Sequence, residues 1–186
     1  MSDKRSPTRT LTLLRHAKSS WKDPGLSDIE RPLTKRGRRA ADAMAPRLVQ
    51  HGASFHCILA SPARRSRETI ARMLLALPAQ DAQLTFDQGL YTFERDGLLQ
   101  WIRQLDDLIA PEIDEVMLVG HNPALQEALH WLIGEGFTGE APAEFPTCAA
   151  AQITLHVPRW SKIKEGCAQL MWVLVPEGEI GLNPPG

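Results

Sequence analysis

Apolar residues in this chain fall into short dense runs separated by longer stretches where they recur every three to four positions, the pattern of buried strands alternating with amphipathic helices. Leu11 to Leu14, Cys57 to Ala60 and Val116 to Val119 are the three densest runs and predict strands covered on both faces. Between them, Leu33, Ala40, Ala41, Met44 and Leu48 predict one helix, kinked at Pro46 and ended by Gly52, and Ile70, Met73, Leu74 and Leu77 a second, stopped by Pro78. Leu98, Leu99, Ile102, Leu105 and Ile109 predict a third, and Leu125, Leu129, Leu132 and Ile133 a fourth.

Punctuation completes the outline. Residues 17–32 are polar and carry the turn signal Asp23-Pro24-Gly25, so they form a loop long enough to have a purpose. Ser61-Pro62 and Asn122-Pro123 each read as an N-cap followed by proline at the first helical position. Residues 78–94 are irregular, with a short strand at Leu84 to Phe86, and Gly134 to Pro146 is a loop. Ile153 to Val157 and Leu170 to Val175 flank a turn-like stretch and predict an antiparallel pair finishing the sheet. The expected fold is α/β, a three-layer α/β/α sandwich with a mainly parallel central sheet, in one domain over residues 1–186 with its core at about 11–175 and loose tails at 1–9 and 177–186.

Composition narrows the classes. A length of 186 residues with 43% hydrophobic content suits one domain with a sizeable core. No apolar run reaches membrane-span length, and the polar start from Met1 to Arg9 lacks a signal core, which points to a cytoplasmic protein with no membrane partner. Cys57, Cys148 and Cys167 are odd in number and lack C-x-x-C spacing, as expected of reduced thiols. The net charge of -1 conceals a split: residues 1–72 hold 16 Lys/Arg against 6 Asp/Glu and the remainder 5 against 16, giving +10 and -11. Only Trp21 and Phe55 are interleaved with the basic residues, too few for a nucleic-acid face, so no nucleic-acid partner is expected and some arginines are assigned to an anionic substrate.

The three dense strands end on Arg15-His16, Ser61 and Gly120-His121, and a parallel sheet collects such ends along one edge. Two histidines and two arginines meeting there suit a phosphoryl group. Arg15 and Arg65 supply forked, permanently charged donors; neutral His16 supplies a nitrogen lone pair, with neighbouring arginines depressing its pKa. His121 would donate to the phosphoryl oxygens, and a helix beginning at Asn122 would turn free N–H groups toward the same anion.

These residues also resemble a known family. Leu14-Arg15-His16-Ala17 is similar to the Arg-His-Gly signature of the histidine phosphatase superfamily, also called phosphoglycerate mutase-like, with Ala17 in place of glycine. Ser61-Pro62-x-x-Arg65-Ser66-x-x-Thr69 and Gly120-His121-Asn122-Pro123 resemble its second and third motifs, and Arg31-Pro32-Leu33-Thr34-x-x-Gly37 also matches. The run from Arg15 to Trp21 looks most like the bacterial phosphohistidine phosphatase, SixA-like branch. The resemblance implies His16 as nucleophile, Arg15 and Arg65 as phosphate clamps, His121 as charge stabiliser, and neither metal nor cofactor. One departure stands out: the family's general-acid glutamate in Leu-x-Glu is matched here by Leu90-Tyr91-Thr92, leaving Glu94, or Asp96, as the nearby substitute. A missing acid handicaps cleavage of an alkyl phosphate more than of a P–N bond, which favours a phosphohistidine substrate.

Lys18, Arg31 and Trp21, in the loop after the nucleophile, are further candidates for contact with substrate. His51, His56, His130 and His156 lack ligand spacing and are assigned no metal. The expected activity is that of a metal-independent phosphatase working through phospho-His16 on phosphohistidine proteins or a small phosphorylated metabolite. Its alternatives are a phosphoglycerate mutase-type transferase and a non-catalytic phosphate-binding module.

Overall fold

Buried side chains along the three densest strands alternate between two separate cores. Leu11, Leu13, Leu59, Val116 and Leu118 belong to one, while Leu14, Ile58, Ala60, Met117 and Val119 belong to the other, because successive residues of a strand point to opposite faces. The structure, a computed structural model, describes residues 8–76, 82–134 and 144–176 and the backbone of 178–180.

Seven strands form one sheet in the order β3-β2-β4-β1-β5-β6-β7: β1 Arg9–Arg15, β2 Cys57–Ala60, β3 Gln83–Phe86, β4 Glu115–Gly120, β5 Ala150–Leu155, β6 Ala168–Val175 and β7 Gly178–Ile180. The first four are parallel and the last three antiparallel. Helices α1 Lys35–Gln50 and α2 Arg64–Ala76 cover one face; α3 Arg95–Arg103, α4 Leu105–Leu108 and α5 Ala124–Ile133 lie on the other side. This is the expected three-layer arrangement.

Local chemistry explains most element limits. Thr34 caps α1 by accepting from Gly37 N at 2.9 Å, and the helix runs through Pro46 before Gly52 reverses the chain at φ 82°. Gly37 is obligatory: a Cβ there would lie 2.2 Å from the Lys18 carbonyl oxygen. Three expectations need correction. The predicted third helix is broken at Gln104 into α3 and α4, where the Asp106 carboxylate is drawn to Trp160 N and Ser161 N at 3.0 and 2.9 Å. The helix expected from Asn122 starts at Ala124, with Pro123 at its N-cap and a cis Asn122–Pro123 bond. Backbone pairing also continues past the predicted sheet, since β7 occupies part of the stretch read as a tail. The helix stop at Leu77-Pro78 and most of the 134–146 loop lie outside the described residues.

Strand order places the site. Because β4 lies between β1 and β2, with Arg15 opposite Gly120 and Ala60 opposite Val119, the residues that follow these strands stand side by side at the carboxyl edge.

Candidate active site

His16, His121 and Ser61 leave β1, β4 and β2 in adjacent positions, and the two imidazoles stand with ring centroids 5.1 Å apart. His16 is held at both ring nitrogens. Its Nδ1–H donates to the Ala17 carbonyl at 2.8 Å, so Nε2 carries the lone pair and accepts from Arg65 Nε at 3.2 Å. Ala17 is itself pinned, its N–H donating at 2.9 Å to Thr69 Oγ1, which in turn donates to the Arg65 carbonyl at 2.6 Å. One turn of α2 thus fixes both the arginine and the backbone that orients the histidine.

His121 is the mirror tautomer. Its Nδ1 accepts from Arg65 Nη2 at 3.2 Å, and its Nε2–H donates to Ser61 Oγ at 2.7 Å. Burial drives the His121 pKa down, with the nearby His16 and Arg65 adding to the effect, to about 2. For His16 burial is again the main cause; the bond to Ala17 acts the other way, and the charges of Arg65, Arg15 and Arg31 take it down to about 3. Both rings are neutral at ordinary pH. As arranged here His121 offers Nδ1 as an acceptor, so the donor role expected of it requires a proton at that nitrogen.

Of the other expected residues, Arg15 donates from Nη1 to the Phe145 carbonyl at 2.8 Å, while its Nε is buried without a partner. Asn122 donates to that carbonyl at 3.0 Å and to Gln126 Oε1 at 3.1 Å. Its side chain ties the site to Phe145 instead of capping α5. Arg31 is buried, donating to Ser19 Oγ at 3.0 Å, with the exposed Trp21 ring 3.5 Å from its guanidinium carbon. Lys18 is exposed and contributes its main chain, its carbonyl accepting from Thr34 N and Oγ1. Glu94 is an exposed N-cap of α3, and its carboxylate makes no hydrogen bond with the histidines or arginines.

Two members of the cluster do not stand out in the sequence. Asp28 accepts from Arg65 Nη2 at 2.9 Å, Arg31 Nε at 3.0 Å and Tyr91 Oη at 2.6 Å, and its main-chain oxygen accepts from Arg65 Nη1 at 2.6 Å. Burial would raise its pKa, but the bonds from Tyr91, Arg31 and Arg65, with the charge of Arg65, hold the carboxyl below its ordinary value. The Tyr91 ring meets His121 edge-on at 5.4 Å, and Phe93 packs at 5.1 Å from the same imidazole. The available signal was Asp28 three residues before Arg31, a spacing that more often marks a solvated surface pair. Among the described residues no cluster of ligating side chains could hold a metal ion, and no helix is long and apolar enough to cross a membrane.

Comparison with known proteins agrees with this geometry. Residues 11–91 match the family model of the histidine phosphatase superfamily (branch 1). An uncharacterized chloroplastic protein of Arabidopsis thaliana is 34% identical over 163 residues, covering 84% of this chain and 71% of that protein. An uncharacterized protein of Mycobacterium tuberculosis is 30% identical over 168 residues, covering 88% and 99%. Among solved structures, one assigned as the phosphohistidine phosphatase SixA of Agrobacterium tumefaciens is 28% identical with a TM-score of 0.72, covering 90% of this chain and 98% of that one. A SixA complexed with tungstate shares the fold at a TM-score of 0.69 and 23% identity, covering 90% and 97%. With two close relatives aligned over most of their length and the fold shared with SixA, the chain belongs to the histidine phosphatase superfamily, in its SixA-like branch.

Proposed function

We propose that this phosphatase acts through a phosphohistidine intermediate on His16 and that its substrate is a phosphorylated histidine side chain. The observation that carries the reading is the state of His16: neutral, buried, oriented through Nδ1, with its Nε2 lone pair aimed at a guanidinium that also serves a second histidine. An arriving phosphoryl group takes over the Arg65 donors, and the freed Nε2 lone pair attacks phosphorus in line with the bond to be broken. That bond's electron pair leaves with the departing nitrogen or oxygen, which takes a proton. Water then attacks the phosphorus of phospho-His16, and the N–P electron pair returns to Nε2.

Charge on the phosphoryl oxygens is met by Arg65 and Arg15, whose buried Nε has no other partner. The phosphoryl dianion itself favours a proton on His121 Nδ1, making that nitrogen a further donor. Positive charge from side chains gives the reaction a route without a metal. The position of the family's acid is held by Thr92, Glu94 stands apart, and Asp28 is kept ionised, so among the described residues no carboxylic acid is placed to protonate an alkoxide. An imidazole leaving group needs such help least.

Trapping with a labelled phosphohistidine protein is the test. Acid-labile, base-stable label on the wild-type chain and none on His16→Ala is expected. Label retained by the variant overturns the intermediate, and turnover of a simple alkyl phosphate equal to that of the phosphohistidine protein overturns the substrate class.

A further inference from the structure

A carboxylate seated in a pocket that gathers cations has to be accounted for. The Arg65 and Arg31 side chains are 1% and 8% exposed, whereas the Asp28 side chain joined to both is 41% exposed. Two buried guanidiniums are thus bridged by a carboxylate that itself reaches solvent. Every Arg65 nitrogen is engaged in this arrangement: Nε on His16, Nη1 on the Asp28 main chain, and Nη2 shared between Asp28 and His121. A phosphoryl group cannot receive a forked pair of bonds from Arg65 without replacing an acceptor already present.

We propose that Asp28 is a resident anion of the phosphoryl pocket, an affinity-setting residue that neutralises Arg65 and Arg31 in the empty site, is displaced by the phosphoryl group, and returns to help expel inorganic phosphate. This rests on the reading of the pocket as the phosphoryl site. Like charges explain the displacement, since a dianion and a carboxylate cannot share one guanidinium without strong repulsion. Burial decides which partner moves: the arginines are enclosed, while Asp28 sits in a single 3-10 turn, Asp28–Glu30, within the long loop after His16. The Asp28 main-chain oxygen still holds Arg65 when the side chain leaves, so the guanidinium keeps its place. Tyr91, through its 2.6 Å bond, seats the carboxylate between turnovers.

The two roles open to Asp28 differ in sign. As a residue that merely positions the arginines, its loss would weaken oxyanion binding; as a resident anion, its loss strengthens it. The experiment is calorimetric titration of the full chain with tungstate, together with inhibition of turnover by inorganic phosphate. Asp28→Asn, which keeps the shape and removes the charge, is expected to bind tungstate about tenfold more tightly, with stronger phosphate inhibition and with KM and kcat falling together. Tyr91→Phe loosens the seat without removing the charge and is expected to shift affinity in the same direction by about threefold. Unchanged or weaker tungstate binding in a folded Asp28→Asn chain overturns the proposal, and if that variant does not fold, unchanged or weaker binding by Tyr91→Phe does so. Arg65→Ala separates the two readings: it should lose tungstate binding, and retention at the wild-type level would remove the phosphoryl pocket itself.

Discussion

Neutral histidines in a buried cluster make the folded state sensitive to mild acid, and the size of the effect follows from the structure. His16 and His121 titrate near the ordinary imidazole value of 6.5 in the unfolded chain and at about 3 and about 2 in the folded one. The unfolded chain therefore binds the extra protons, and stability is lost as pH falls below 6.5, with the loss from His16 ending only near pH 3. At pH 5.5, one unit below the unfolded value, each ring forfeits about 1.4 kcal/mol relative to pH 7.5, or about 3 kcal/mol for the pair, a large share of an ordinary domain's stability. The assay is urea unfolding at pH 7.5 and 5.5 for the wild type and for His16→Asn, whose amide can keep the bond to Ala17 but does not titrate. Any pH-independent cost of the substitution cancels in the difference. The variant should lose about 1.4 kcal/mol less than the wild type over this interval. Equal losses would show that the folded His16 titrates like a solvated imidazole, and the account of a neutral, desolvated nucleophile would fail.

Other substitutions probe the scaffold. Thr69→Val removes the acceptor of the buried Ala17 N–H and should cost about 1–3 kcal/mol in urea unfolding while lowering kcat, because Ala17 orients the His16 ring. Gly37→Ala drives a Cβ into the Lys18 carbonyl; it should destabilise by about 1–3 kcal/mol in thermal unfolding and raise KM through the displaced 17–34 loop. Glu94→Gln should keep kcat/KM within about twofold, since its carboxylate reaches none of the site residues, and a loss of a hundredfold would reinstate it as the proton donor.

The strands were legible because burial on both faces leaves an unbroken apolar run, and their tips were legible because a polar, chemistry-bearing residue directly follows each run. What the pattern could not show depended on partners far along the chain. The periodicity of Leu98 to Ile109 continues through Gln104, yet the helix breaks there while Asp106 is claimed by the Trp160 and Ser161 amides, more than 50 residues away. Proline after asparagine reads as a helix start, but Asn122 is drawn across the site to Phe145. Asp28 lies in a loop with no periodicity, and its partners Arg65 and Tyr91 are 37 and 63 residues distant. Charge alone singles out Lys18 in the sequence, whereas the structure uses its backbone, whose carbonyl accepts from Thr34.

Charge balance joins these features. Arg15, Arg31 and Arg65 bring three positive charges to the pocket, so with both imidazoles neutral the net charge is +2 while Asp28 is seated and +3 once its carboxylate yields to the proposed phosphoryl dianion. Protonating the histidines would deepen the attraction for phosphate but would remove the lone pair on which attack depends and would slow product departure. Burial resolves the conflict: it withholds protons from His16 and His121 and leaves the positive charge of the pocket to the guanidiniums. Placing β4 between β1 and β2 makes this economical, since one enclosed arginine in the first turn of α2 can address both rings at once. The same enclosure requires a counter-charge when the pocket is empty, and a half-exposed aspartate on a loop supplies one that can yield its place.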